Sequence, residues 1–214
     1  MNEDFTKEVN NKSKALATVY ETLESIVMAI ALVLIIFVFF AKLSVVDGDS
    51  MVPTLHDKEY LVVADPFFSY DPENGDIVVI QTISTSEYTN ETTPLTIVKR
   101  VIATGGQRVA LKYGRFDPYN PTFDVYVDGE LIEEDYAYYE GRPFPSRPTD
   151  VHPEFEVIEY EVPEGYVFVL GDNRNVSYDS RYETLGHGRF IKESEIVGKV
   201  IFRLLPLQKI GAVK

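Results

Sequence analysis

Residues 25–41 read SIVMAIALVLIIFVFFA, a run of 17 positions with no charge, no proline and no glycine. As an α-helix this run is roughly 25 Å long, slightly short of a hydrocarbon core of about 30 Å. Lys42 can lift its ammonium to the interface, and Leu43 to Val46 then prolong the apolar stretch. The expectation is one N-terminal transmembrane helix, the anchor covering residues 25–46. A run that is apolar on every face does not suit the amphipathic surface of a soluble domain. A cleavable leader would have a shorter apolar region ending at a small-x-small site, and Ala41-Lys42-Leu43-Ser44 is a poor one. Lys7, Lys12 and Lys14 precede the span, while Lys42 and Lys58 follow it. That asymmetry favours a cytoplasmic tail over residues 1–24, with everything after the span outside the cytoplasm.

The 214 residues carry 20 Lys and Arg against 34 Asp and Glu, a net charge of −14. A nucleic-acid binder needs a basic face to neutralise phosphates, so no nucleic-acid partner is expected. The same charge disfavours docking onto anionic lipid by electrostatics alone. With no cysteine, disulfide frameworks, thiol catalysis and Cys-ligated metals are excluded. His56, His152 and His187 are too few for a multi-histidine centre, so neither a metal nor another cofactor is expected.

After the anchor, short β-like runs alternate with turn signals. They cover residues 59–64, 76–81, 96–104, 107–113, 166–170 and 195–204. Asp128-Gly129 between Val125-Tyr126-Val127 and Glu130-Leu131-Ile132 is a two-residue hairpin signal. The fold expected is mainly β, an antiparallel domain over 47–112 and 164–214. Residues 113–163, rich in Pro, Tyr and acids, read as a smaller inserted subdomain with flexible loops around 142–153.

Three clusters carry candidate chemistry: Gly48-Asp49-Ser50-Met51-Val52-Pro53-Thr54-Leu55, Val98-Lys99-Arg100-Val101-Ile102, and the run from Gly171-Asp172-Asn173-Arg174 to Ser177, Asp179, Ser180 and Arg181. Singly each has a bland reading. Ser50 fits a turn serine bonded to its own backbone. Lys99 fits a strand lysine facing solvent, and the third cluster fits a polar loop with an internal Asp–Arg pair. A calcium loop fails on spacing, because Ser177 stands where the EF-hand glycine belongs.

Taken together they resemble the boxes of the type I signal peptidases, membrane-bound proteases with a Ser/Lys dyad. Ser-Met-x-Pro-Thr-Leu and Gly-Asp-Asn-Arg-x-x-Ser-x-Asp-Ser-Arg are specific, and Gly75-Asp76-Ile77-Val78-Val79 and Gly198-Lys199 match further boxes in the family's order. The resemblance implies Ser50 as nucleophile, Lys99 as general base, and signal-peptide-bearing pre-proteins and the lipid bilayer as partners. Ser177 matches the serine that hydrogen-bonds the lysine. Asp179 and Arg181 match a pair that holds the site together. The chemistry is coherent: a serine needs a base, a lysine at its ordinary pKa of about 10.4 is protonated, and burial lowers that pKa. Ile97, Val98, Val101 and Ile102 surround Lys99, and strand alternation sends Arg100 to the opposite face.

The Ser50 backbone N–H is the expected oxyanion donor. Some members carry a serine two residues before the nucleophile as a second donor, where this chain has Gly48, as Gram-positive members often do. The lysine box departs too, with Ala103-Thr104-Gly105-Gly106 where Gly and Leu-Pro-Gly-Asp are usual. Gly105 keeps that turn permissive. Lysine at 99, where the endoplasmic-reticulum branch has histidine, implies a bacterial or organellar type. Three rivals remain. One is a Ser-His-Asp site using His56 or His187. Another is a non-catalytic or narrowly specialised assembly factor on the same fold. The last is a self-cleaving repressor protease, against which the anchor speaks. Met51, Phe67, Phe68 and the Leu204-Leu205-Pro206-Leu207 run are candidates for contact with the bilayer surface, or else core and scattered surface residues.

Overall fold

The structure, a computed structural model, describes residues 3–64, 71–113, 122–139 and 157–213. It divides into two units, Met1–Ala41 and Lys42–Lys214.

The first unit is a single helix, α1 (Glu3–Phe40). Its segment Leu16–Ile35 is long and apolar enough to cross a membrane. The hydroxyls of Thr18, Thr22 and Ser25 each donate to the carbonyl four residues back, at 3.0, 2.7 and 2.9 Å. Hydroxyls in an apolar helix are satisfied without a partner segment in this way. The helix ends at Phe40 and does not run on to residue 46 as the hydropathy suggested. Ala41–Val45 is strand β1 instead. The backbone of Val46 exchanges hydrogen bonds with Glu59 and Lys58, both at 2.9 Å, and its side chain is buried.

The second unit is built from antiparallel strands. Beyond β1 these are β2 (Tyr60–Ala64), β3 (Ile77–Thr85), β4 (Thr92–Thr104), β5 (Arg108–Tyr113), β6 (Phe123–Val127), β7 (Glu130–Leu131), β8 (Val157–Glu161), β9 (Tyr166–Leu170), β10 (Ile191–Lys192), β11 (Ile196–Leu205) and β12 (Gly211–Ala212). The larger sheet runs β1-β2-β11-β3-β4-β9-β10, with β12 on β11, and the smaller runs β7-β6-β5-β8. The fold is therefore mainly antiparallel β, as the sequence implied. The smaller sheet takes in β5, which moves its start ahead of residue 113. The reason is local: β4 ends at Gly105-Gly106, where Gly106 has φ +83° and a Cβ on Gly105 would crowd the Glu164 backbone. The close approach falls to Gly105 and the left-handed turn to Gly106.

Alternation puts Val109, Leu111, Phe123, Val125 and Val127 of the small sheet into one core with Ile102, Phe168 and Leu170. Successive residues of β3 serve two further cores. Ile77 and Val79 pack with Leu61, Val63 and Val200, while Val78 and Ile80 pack with Val101, Val167 and Val169. Asp128 and Gly129 both have positive φ, 52° and 85°, as a tight β6–β7 hairpin requires. Phe67, Phe68, His152 and the loops around 142–153 lie outside the described residues. Leu204, Leu205 and Leu207 are exposed, whereas Met51 is core.

Candidate active site

Ser50 sits on a tight turn. Val52 N–H donates to Asp49 O at 3.2 Å and Leu55 N–H to Met51 O at 2.8 Å. Met51 and Leu55 are buried with Val46, Leu61 and Val63, which pins the turn to the sheet. Met51 thus anchors the serine's backbone. From the other side Asn173 holds the turn, its N–H donating to Ser50 O at 3.0 Å and its Nδ2 to Asp49 O at 3.1 Å. The first two clusters of the sequence meet at the Ser50 side chain, where Lys99 Nζ donates to Ser50 Oγ at 2.7 Å and to Val98 O at 2.9 Å.

Lys99 is 3% exposed, on a strand whose register sets it opposite Val78. Burial pulls its pKa down to about 8. The charges of Asp179 and Asp172 pull it up, and Arg181 pulls it down. Desolvation dominates because no carboxylate among the described residues touches the amine. The next residue, Arg100, leaves the other face opposite Ile77. Its guanidinium grips Asp172 with Nε to Oδ1 at 2.9 Å and Nη2 to Oδ2 at 2.8 Å, and Nη1 donates to Gly75 O at 2.9 Å. Thr54 Oγ1 donates to the same carboxylate. One buried acid therefore joins the lysine's strand to the serine's turn. The sequence reading passed over Asp172 and Arg100 as a pair, although alternation at 99/100 was the available signal.

Asp179 and Arg181 form a second buried fork, Nε to Oδ1 at 2.7 Å and Nη2 to Oδ2 at 2.9 Å. Burial alone would raise the Asp179 carboxyl. Arg181 and the Gly171 N–H, which donates to Oδ2 at 3.0 Å, hold it below its usual range. Ser177 departs from expectation. No hydrogen bond to Lys99 is made, since that amine donates to Ser50 and Val98, and the buried Ser177 hydroxyl instead helps hold the Asp179 carboxyl low. Packing puts the side chain there: a Cβ on Gly171 would collide with Ser177 Oγ and with Ser50 O. Gly171 lets the third cluster press against the serine's carbonyl.

Gly48 has φ +88°, and its N–H donates to Asp57 Oδ1 at 2.9 Å, so that donor is already used. The other two boxes are also tied together, Asp76 to Lys199 by an ion pair, with Gly198 packed against Ala64 O where a Cβ would not fit. The two described histidines have other partners. His187 Nε2 lies 2.7 Å from Glu195 Oε1, and His56 Nδ1 3.2 Å from Lys209 Nζ.

A hydroxyl and a desolvated amine in hydrogen-bond contact on an antiparallel β scaffold are the parts of a serine protease. The family model described as "Signal peptidase, peptidase S26" matches residues 19–205, and the chain belongs to that family. It is 34% identical over 209 residues to "Signal peptidase I" of Bacillus amyloliquefaciens, covering 97% of this chain and 95% of the relative. It is 31% identical to "Signal peptidase I T" of Bacillus subtilis, over 98% of this chain and all of the relative. "Probable signal peptidase I-1" of Synechocystis sp. is 30% identical over 89% of this chain and 85% of its own length. Membership makes the chain a serine protease of signal-peptide removal.

Proposed function

We propose that the chain is a membrane-anchored endopeptidase that removes signal peptides from exported pre-proteins with Ser50 as nucleophile and Lys99 as general base. Its N-terminus lies in the cytoplasm and its β domain outside, with the small sheet as an inserted subdomain. The observation that carries the reading is the 2.7 Å contact between a half-buried hydroxyl and a buried amine whose pKa is near 8. A neutral Lys99 takes the proton from Ser50 Oγ as that oxygen attacks the carbonyl carbon at the −1 residue. The resulting oxyanion is met by the Ser50 N–H, which makes no hydrogen bond among the described residues. The Lys99 ammonium then gives its proton to the departing amine of the mature chain. Lys99 next deprotonates water, which attacks the acyl-serine ester. The tetrahedral species collapses, the Lys99 ammonium gives its proton to Ser50 Oγ, and the signal peptide leaves as a carboxylic acid that loses its proton to solvent. Asp179 with Arg181, and Ser177 by filling space against Gly171, keep this geometry fixed.

The test is cleavage of a pre-protein with alanine at −3 and −1, by full-length chain in detergent, with mass spectrometry locating the cut. The expected result is a cut after the −1 alanine, lost by roughly 10⁴-fold or more in Ser50→Ala and in Lys99→Ala. Full cleavage by either variant would overturn the assignment. Stable pre-protein binding without turnover by the wild type would favour an assembly role.

A further inference from the structure

The segment after β7 leaves the small sheet and lies along the third cluster. Tyr138 N–H donates to Asp172 O and Arg174 N–H to Tyr138 O, both at 2.8 Å. The Tyr136 ring stacks on Arg100, 3.8 Å from guanidinium carbon to ring centroid. Tyr139 OH returns to Phe123 O at 2.5 Å. At the head of this strap, Glu134 holds Arg174, whose Nη1 donates to Oε2 at 3.0 Å and whose Nη2 donates to Oε1. Arg174 is 1% exposed, so its charge depends on that carboxylate. Its Nε donates to Gly171 O at 3.1 Å.

Gly171 is therefore held from both sides, its N–H by Asp179 and its C=O by Arg174. It is also the residue packed against Ser50 O, two positions before the Asn173 that bonds that oxygen. We infer that Glu134 is a positioning residue for the hydrolysis, acting through Arg174 and Gly171 to fix where Ser50 stands against Lys99. The inference rests on the Ser50–Lys99 reading above. Misplacing reacting groups by about an ångström costs up to roughly 100-fold in rate, which appears in kcat. Glu134 acts through Arg174 and Gly171 rather than on the reacting atoms, so the expected loss falls on kcat and leaves KM unchanged.

The experiment compares wild type, Glu134→Gln and Glu134→Leu/Arg174→Met as full-length chains in detergent, on the same pre-protein, beside Ser50→Ala. The double variant removes the buried charge pair altogether, a change that keeps or raises stability. Both should lose roughly 10- to 100-fold in kcat with KM changed by less than about two-fold. The double variant should do so with an unfolding midpoint at or above that of wild type. Full kcat in a folded variant would overturn the inference, as would a loss confined to KM. Failure of both variants to fold would overturn it too, making the pair a stability element only. Activity retained by Ser50→Ala would instead bring down the nucleophile assignment, leaving the two failures distinct.

Discussion

Lys99 and Arg100 are consecutive, both 3% exposed, and treated in opposite ways. Arg100 leaves one face of β4 into a carboxylate fork that satisfies its charge. Lys99 leaves the other and finds a hydroxyl and a carbonyl, neither of which carries charge. Both cations pay desolvation, and only one has a touching counter-ion to offset it. The strand thus makes a structural cation and a reactive amine from neighbouring positions, and the difference lies in the pleat. Guanidinium suits the first role because it stays charged and binds bidentately, and ammonium suits the second because burial can neutralise it.

The largest effect should come from breaking the paired side. Arg100→Met leaves Asp172 buried without its cation and should cost about 3–5 kcal/mol in denaturant unfolding. Lys99→Met should do the reverse. Unfolded, the amine keeps its proton up to pH 10.5, and folded only up to about 8. Between those values the unfolded state binds more protons, so wild-type stability rises with pH. Below pH 8 the buried amine carries its full penalty, so Lys99→Met should be more stable there by about 3 kcal/mol while inactive. That advantage should vanish above pH 10.5. Equal stability of the two proteins at pH 7 would contradict the unpaired-amine picture. The smallest effect sharpens the paired side: Thr54→Val removes one donor to Asp172 and should cost about 1.5–3 kcal/mol.

Much of this was legible in the sequence because local chemistry dictates it. Asp128-Gly129 specifies its own turn, and Tyr166–Leu170 stands where its apolar run predicts. Ser50 and Lys99 were readable from the resemblance, and the fold brings them into contact across 49 residues. What escaped depends on distant partners. Nothing near Glu134 points to Arg174, and nothing near Asp172 points to Thr54, because those bonds exist only after the sheets close. Val157–Glu161 was passed over since its alternation, V-I-E-Y-E, buries no residue fully. Ser177 is legible as a site residue from its motif, but its packing into the space that Gly171 leaves, beside Asp179, exists only in the folded chain. The helix ends before the apolar run does because Ala41–Val45 pair as a strand and Val46 is buried in the core.

Lys99 is neutral enough near pH 8 to act as a base because it is buried without a touching acid among the described residues. The most direct test is an NMR titration of the 15N-lysine-labelled full-length chain in detergent, with the Lys99 side-chain signal assigned by its loss in Lys99→Met. The expected midpoint is near 8, matched by the acid limb of kcat/KM for pre-protein cleavage. A midpoint near the ordinary lysine value of 10.5, with activity already full at pH 7, would contradict it.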